Sequence, residues 1–216
     1  VAAVARKMGV AVEIVETETR VLKRTASSVI GHFFRRIHEE EGVRFHLNCQ
    51  LEEVVGQEAV EGVRLSNSHV LDADIVLFAM GIEPNTALAD AAEIVCDNGI
   101  LVDEFCTTSD PDVFAFGDCV NAMNLRLGRF NRIESVQNAV DQAQVVAASI
   151  LGEKKPYEAI PWFWSDQYDV KYQSAGLRYG GEQTVVRGNA DEGRSFSVFY
   201  VKDGHVVAAE TVNRLK

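Results

Sequence analysis

The sequence predicts an α/β fold: two incomplete parallel βαβ units followed by a smaller, strand-rich α+β unit. Three stretches of the 216 residues carry that reading. Val1 to Met8 is an apolar helical run closed by Gly9, and Val10 to Glu16 follows it as a β-branched strand ending in an acid. Residues 107 to 119, T-T-S-D-P-D-V-F-A-F-G-D-C, read as a turn and a short buried strand, Val113 to Phe116, that ends in Gly117 and Asp118 ahead of a long helix. Beyond Tyr157, short strands at hairpin spacing replace the alternation of helix and strand.

The first helix has no capping residue before Val1, so it reads as the rear of a buried helix. Helix, glycine, strand and terminal acid form the second half of a Rossmann-type βαβ unit. The sequence contains no G-x-G-x-x-G, and the last residues, Thr211 to Lys216, carry no stop signal. The expectation is a piece of a larger protein. Ser27 and Ser28 can cap a helix whose stripe is Val29, Ile30, Phe33, Phe34 and Ile37, with Gly42 as its stop. Strands are expected at Val43–Leu47, Leu51–Val55, Val60–Leu65 and His69–Leu71, three of them in an antiparallel meander. Asp74 to Met80 (D-I-V-L-F-A-M) reads as a fully buried strand, Gly81 to Asn85 as its loop, and Thr86 to Ala92 as a helix. The long helix, Ile133 to Leu151, is expected to bury Val136, Ala139, Val140, Ala143, Val146, Ala147 and Ile150. The strand-rich end holds Val170–Leu177, Gln183–Gly188, Ser195–Val201 and Val206–Thr211, with Asp203-Gly204 as a hairpin turn.

Composition excludes several classes. Apolar residues are 47% and charged residues 25%, close to globular averages. Apolar runs are strand-length, so no membrane span is expected, and the start lacks the marks of a signal peptide. A net charge of −11 argues against nucleic acid as a partner. Cys49, Cys96, Cys106 and Cys119 form no C-x-x-C pair, so neither a metal site nor a disulfide framework is expected, and scattered thiols suit a reducing cytoplasm. Histidines 32, 38, 46, 69 and 205 show no metal spacing and read as surface or helix-face residues.

The chemistry gathers at strand ends, where open α/β sheets bind ligands. Asp118, beside a residue without Cβ, can accept a ribityl or ribose hydroxyl while nearby amides face phosphate. Glu16 can accept both hydroxyls of an adenosine ribose and would repel a 2′-phosphate. Arg20, Lys23 and Arg24 blur that preference: they can accommodate a 2′-phosphate, Arg24 can reach a pyrophosphate, or all three can form a solvated basic face. Gly81 lets the backbone approach a ligand, or simply makes the turn. Glu134, Ser135, Val136 and Ala139 open the long helix, whose first-turn amides can donate to a carbonyl that gathers charge; Ser135 also reads as the cap. Pro161 to Gln167 (P-W-F-W-S-D-Q) offers flat aromatic walls in Trp162 and Trp164, or interface core. Arg126, Arg129 and Arg132 form a local basic cluster, free for an acidic partner or paired to acids such as Glu134.

The segments V-E-I-V-E-T, A-M-G-I-E-P-N, T-T-S-D-P-D-V-F-A-F-G-D-C, R-I-E-S-V-Q-N-A-V-D-Q-A and P-W-F-W-S-D-Q-Y-D together resemble the FAD-dependent pyridine nucleotide-disulfide oxidoreductases, specifically the ferredoxin and rubredoxin reductases of oxygenase systems. P-W-F-W-S-D-Q separates that branch from glutathione-reductase-like enzymes. The resemblance implies an NAD(H)-binding domain over residues 1–105 that lacks its first strand and glycine loop. It implies the C-terminal part of an FAD-binding domain over 106–155 and a truncated C-terminal reductase domain over 156–216. It places Asp118 and Cys119 with the FAD ribityl chain, and Glu134, Ser135, Val136 and Ala139 against the isoalloxazine. Trp164 falls beside the flavin or nicotinamide, and Glu16, Arg24 and Gly81 on NADH. Some relatives carry an aromatic residue where this chain has Val136, which would leave that side of the flavin more open. The implied reaction passes hydride from NADH to flavin N5 and then single electrons to an iron–sulfur protein, with no side chain needed as acid or base. An NADH oxidase, a nitrite-reductase flavin subunit and a non-enzymatic apoptosis-inducing-factor-like protein share the scaffold.

Overall fold

The computed structural model describes residues 1–214 apart from Leu127 and Tyr179. In chain order, α1 is Ala2–Lys7, β1 Glu13–Glu16, α2 Ser28–Glu40, β2 Arg44–Leu47, β3 Leu51–Val55, β4 Gly62–Leu65 and β5 Val70–Asp72. There follow α3 (Ala87–Ala91), β6 (Ile100–Val102), β7 (Val120–Asn124), β8 (Arg129–Asn131) and α4 (Val136–Ile150). The last five strands are β9 (Trp162–Gln167), β10 (Val170–Gly176), β11 (Gln183–Gly188), β12 (Phe196–Lys202) and β13 (His205–Val212). Two compact units emerge: Val1–Met80 with Trp164–Gln173 and Gly180–Lys216, and Gly81–Phe163 with Ser174–Tyr179.

In the first unit β1 pairs in parallel with β2, Glu13 opposite Arg44 and Glu16 opposite Leu47, with α2 as the crossover. Ser27 caps α2 by accepting from the Ile30 amide, and Gly42 closes the helix end at φ +81°. The stripe reads as expected: Ile30, Phe33, Phe34 and Ile37 are buried against Val170, Tyr172, Phe196, Val198, Tyr200 and Val212. Phe33 meets Phe34 and Phe196 edge-on at 5.4 and 5.1 Å between ring centres. Strands β3, β4 and β5 form the expected antiparallel meander, closed by Cys49, Val63 and Leu65. The sheet order β11-β12-β13-β10-β9 contains the β12–β13 hairpin, where Asp203 and Gly204 take φ of +50° and +75°.

The second unit carries a three-stranded sheet, β6-β7-β8, with β6 and β7 parallel and β7 and β8 antiparallel. Its core is Val102, Cys106, Ala115, Val120 and Ala122 with Val146 of α4. Burial pushes the Cys106 thiol, with help from Asp103, up to about 12, so it is an inert packing group.

Four expectations about apolar segments are corrected. Helix α1 buries only Ala3, and Val1, Val4 and Met8 are exposed. Residues 74–80 make no strand: Ile75, Leu77, Phe78 and Met80 are exposed, and only Val76 reaches a core cluster. A buried parallel strand needs a ladder partner on each side, and no strand among the described residues pairs with this run. Val113 to Phe116 is a single bridge, Phe114 to Thr107, with Val113 and Phe116 exposed; the strand of this region is β7, after Asp118. Helix α4 buries Asn138, Gln142 and Val146, while Val136 and Ile150, each 67% exposed, and Val140 point outward. Of its apolar stripe Val146 packs into the core while Val136, Val140 and Ile150 are exposed, whereas Asn138 and Gln142 meet partners inside.

Candidate functional site

The Gly117–Asp118 loop is anchored by the helix that follows it in sequence. The Gly117 amide donates to Gln142 Oε1 at 2.8 Å, and a Cβ on Gly117, at φ +87°, would stand 3.7 Å from Ala139 Cβ. Gln142 is held in turn. Asn138 Nδ2 donates to Gln142 Oε1 at 3.3 Å and to the Ile133 carbonyl at 3.0 Å, and Tyr157 donates its hydroxyl to Asn138 Oδ1 at 2.8 Å. Burial, with the nearby Asp141 charge, raises Tyr157 to about 12, so it stays a donor at any working pH. Asp118 itself is exposed, and Cys119 leans on the Phe116 carbonyl at 3.7 Å.

At the start of α4, Ser135 caps the helix by accepting from the Asn138 amide at 3.2 Å. Helix geometry leaves the amides of Val136 and Gln137 without intrahelical partners. Val136 is exposed beside them, and Gln137 Oε1 accepts from the Trp162 amide at 3.0 Å. Glu134 pairs with Arg132, which is almost buried and whose Nε has no partner among the described residues. Of the three arginines in this region, Arg132 is thus drawn into a local ion pair with Glu134.

In the other unit, Glu16 lies at the end of β1 and turns the chain there: its Oε1 accepts from the Glu18 amide at 3.0 Å and from Thr17 Oγ1 at 3.3 Å. Arg20 is committed to structure, donating to the carbonyls of Val21, Lys23, Ala26 and Ser27. Lys23 pairs with Glu18 at 2.5 Å, and Arg24 is exposed. Gly31 permits this arrangement, because a Cβ there would lie 2.8 Å from the Val21 carbonyl oxygen. Gly81 is exposed with φ +97°, a conformation that L side chains rarely take.

Trp164 lies on β9, 41% exposed, with its strand held from one end. His38 of α2, only 7% exposed, donates from Nε2 to Gln167 Oε1 at 2.7 Å, and Tyr168 donates its hydroxyl to His38 Nδ1 at 3.0 Å. Burial holds the imidazole below its usual range, so it is neutral and both nitrogens are used. Of the two places expected for a histidine, surface or helix face, His38 takes the second, on the buried face of α2.

The structure therefore brings Asp118, Cys119, Ser135, Val136 and Ala139 together in one unit around the start of α4, with Gly81 in the same unit. Glu16, Arg24 and Trp164 belong to the other. Sequence reasoning missed Asn138, Gln142 and Tyr157. Their signal was present: two amides at i and i+4 inside an apolar helix are seldom accidental.

Residues 1–143 match the pyridine nucleotide-disulphide oxidoreductase family, and residues 162–216 match the C-terminal domain of reductases. The ferredoxin reductase subunit of a 5,5′-dehydrodivanillate O-demethylase from Sphingobium is 44% identical over all of this chain and 53% of its own length. Putidaredoxin reductase of Pseudomonas putida is 39% identical over 99% of this chain and 51% of its own. A ferredoxin reductase for the CYP199A2 system of Rhodopseudomonas palustris superposes with a TM-score of 0.94 at 43% identity, covering 99% of this chain and 53% of that one. A covalent putidaredoxin reductase–putidaredoxin complex gives 0.94 at 38% identity, over 99% and 52%. The chain spans about half the length of the curated relatives it matches. On the family match over residues 1–143, the chain belongs to the pyridine nucleotide-disulphide oxidoreductases.

Proposed function

We propose that these residues serve as one half of an FAD-dependent NADH:ferredoxin (or rubredoxin) reductase, delivering electrons to an iron–sulfur protein of an oxygenase system. The observation that carries this is the Gly117–Asp118 loop fastened to α4, which sets an exposed carboxylate beside a helix start. The residues present fit part of a flavin dinucleotide. Asp118 offers an acceptor for a ribityl hydroxyl, the Val136 and Gln137 amides offer donors for a ring carbonyl, and exposed Val136 offers an apolar contact. Bound FAD would supply the step from two-electron to one-electron transfer; the chain supplies orientation and a preorganised polar edge. Glu16, Arg24 and Gly81 are assigned to NADH, with Glu16 Oε2 facing the ribose while Oε1 keeps the turn. Trp164 is assigned to the flavin or nicotinamide, Cys119 to the ribityl chain beside Asp118, and Glu134, Ser135 and Ala139 to the flavin edge. In this reading residues 1–105 are NAD(H)-binding, 106–155 belong to the FAD-binding domain, and 156–216 form the C-terminal reductase domain. No described helix is long and apolar enough to cross a membrane. The four unpaired thiols favour a cytoplasmic setting.

The relatives' names support the reductase reading over an NADH oxidase. The test is a full-length protein of the relatives' size, reconstituted with FAD and supplied with NADH. Reduction of a ferredoxin well above oxygen consumption supports the proposal. Oxygen consumption that an added ferredoxin leaves unchanged would replace it with an oxidase.

A further inference from the structure

The buried hydrogen-bond chain Tyr157–Asn138–Gln142 does more than fill the space under α4. The atoms close without a loose end at its centre. Asn138 spends both amide hydrogens, on Ile133 O and Gln142 Oε1, and its oxygen accepts from Tyr157. Gln142 Oε1 then receives two donors, Asn138 Nδ2 and the Gly117 amide. Asn138, Gln142 and Tyr157 are 1%, 2% and 5% exposed, so none of these groups can exchange its partner for water. Each end also reaches a different connection of the chain: the Tyr157 amide donates to the Glu104 carbonyl at 2.7 Å, and Ile133 lies in the approach to α4. Packing alone would be served by leucine at these positions, without the cost of burying amides. What the polar chain adds is register. It fixes the Gly117 amide, one residue before Asp118, against the same helix whose first turn begins at Val136.

We infer that Gln142, seconded by Asn138 and Tyr157, is a positioning residue for the flavin: it sets the Asp118 carboxylate at a fixed height relative to the α4 N-terminus. The inference rests on the FAD reading of Asp118 given above. Gln142 is buried and acts through the Gly117 amide. Displacing that amide swings the adjoining Asp118 while leaving the helix start in place, so the two halves of the cradle lose their spacing.

The experiment uses the full-length protein with Gln142→Met, Tyr157→Phe and, as control, Asp118→Ala. FAD affinity is read by recovery of free-flavin fluorescence, and melting temperatures are taken for apoprotein and holoprotein at one fixed FAD concentration. Gln142→Met should raise the FAD dissociation constant about tenfold, one hydrogen bond's worth, and Tyr157→Phe by a smaller factor in the same direction. Because cofactor binding adds stability that grows with the logarithm of affinity at fixed cofactor concentration, the gap between holo and apo melting temperatures should narrow. If Gln142→Met lowers both melting temperatures in parallel and leaves the gap intact, Gln142 is a structural residue and the inference falls. If Gln142→Met does not fold, Tyr157→Phe decides by the same gap: narrowed supports, unchanged overturns. A wild-type protein that binds no FAD, or an Asp118→Ala protein that binds it normally, overturns the flavin reading and this inference with it.

Discussion

Replacing His38 by leucine removes two hydrogen bonds and one titratable group, and both losses can be worked from the structure. His38 Nε2 donates to Gln167 at 2.7 Å, and Nδ1 accepts from Tyr168 at 3.0 Å. Each is worth about 0.5–1.5 kcal/mol net, rising where the abandoned partner stays buried. Gln167 and Tyr168 are half-buried, so water recovers part of the loss. Leucine keeps most of the apolar contact but gives up the edge-on stacking on Tyr168 at 5.0 Å, worth about 0.5–1 kcal/mol. The sum at pH 8 is a destabilisation of about 1.5–4 kcal/mol, with the lower half favoured by water's share. Tyr168 makes this site costly to lose in another way: it sits at φ +58°, a conformation a bulky residue holds only when its surroundings enforce it.

The pH dependence gives a sharper discriminator. Burial lowers the pKa of His38 in the folded protein, and the Gln167 contact and Glu41 oppose that shift. The unfolded chain, with an ordinary value near 6.5, takes up the proton first as pH falls. His38 therefore contributes its full stability above the unfolded value and loses it as pH drops through 6.5 towards the folded value. The loss is at most about 1.4 kcal/mol per pH unit for one proton. His38→Leu has no such proton, so its deficit against wild type should be largest at pH 8 and shrink by pH 5. Urea unfolding at pH 8, 7, 6 and 5 measures this, and the difference between the two proteins cancels the contribution of His46 and the carboxylates. A deficit that stays constant across that range would mean His38 is not held neutral by burial, and the clamp on β9 would have to be abandoned.

Other substitutions probe single interactions. Asp118→Ala in the full-length protein should weaken FAD binding about tenfold to a hundredfold, as expected for one charge-assisted bond of about 1.5–3 kcal/mol, and flavin release on dialysis reads it. Glu16→Ala should narrow the ratio of kcat/KM for NADH over NADPH, and an unmoved ratio would leave Glu16 with its turn-forming bonds to Thr17 and Glu18 as its role. Gly31→Ala should cost about 1–3 kcal/mol, because the added Cβ meets a backbone oxygen at 2.8 Å that cannot yield cheaply; thermal melting shows it as a lowered midpoint. The 216-residue chain on its own should fail to keep FAD through gel filtration, since Asp118 and one helix start cannot replace phosphate-binding amides. Stoichiometric flavin absorbance in the eluted peak would refute that.

The fold was legible wherever a segment finds its partner within the chain. Helix α2 shows this best: the Ser27 cap, the Ile30–Phe33–Phe34–Ile37 stripe and Gly42 were all readable, and the stripe meets a sheet supplied by later residues. The Asp203-Gly204 hairpin was legible because its turn chemistry is local. Residues 74–80 failed for the opposite reason. Their apolar run is the signature of a doubly flanked strand, and periodicity reports what a segment is suited to pack against, not whether that neighbour is present.

Helix α4 separates the two kinds of signal within one element. Its valines promised a buried stripe, yet Val136 and Val140 are exposed and the amides Asn138 and Gln142 are inside. Reading polar as outward is right for most helices because burying an amide without partners costs several kcal/mol. Here the partners are a hydroxyl, a loop carbonyl and a loop amide drawn from three different connections, and none of those meetings is encoded in α4 itself. Asp118 stands out in sequence for a related reason, because Gly-Asp is a local pattern with a local rationale, although the strand expected before it is a single bridge and β7 follows it. The residues that aim it are distant in sequence (25 for Gln142 from Gly117, 19 for Tyr157 from Asn138), and only the folded chain shows them joined. A candidate carboxylate can thus be proposed from sequence, while the hydrogen bonds that hold its loop are a property of the tertiary structure, which is why substitution at Gln142 rather than at Asp118 is the stricter test of how this loop works.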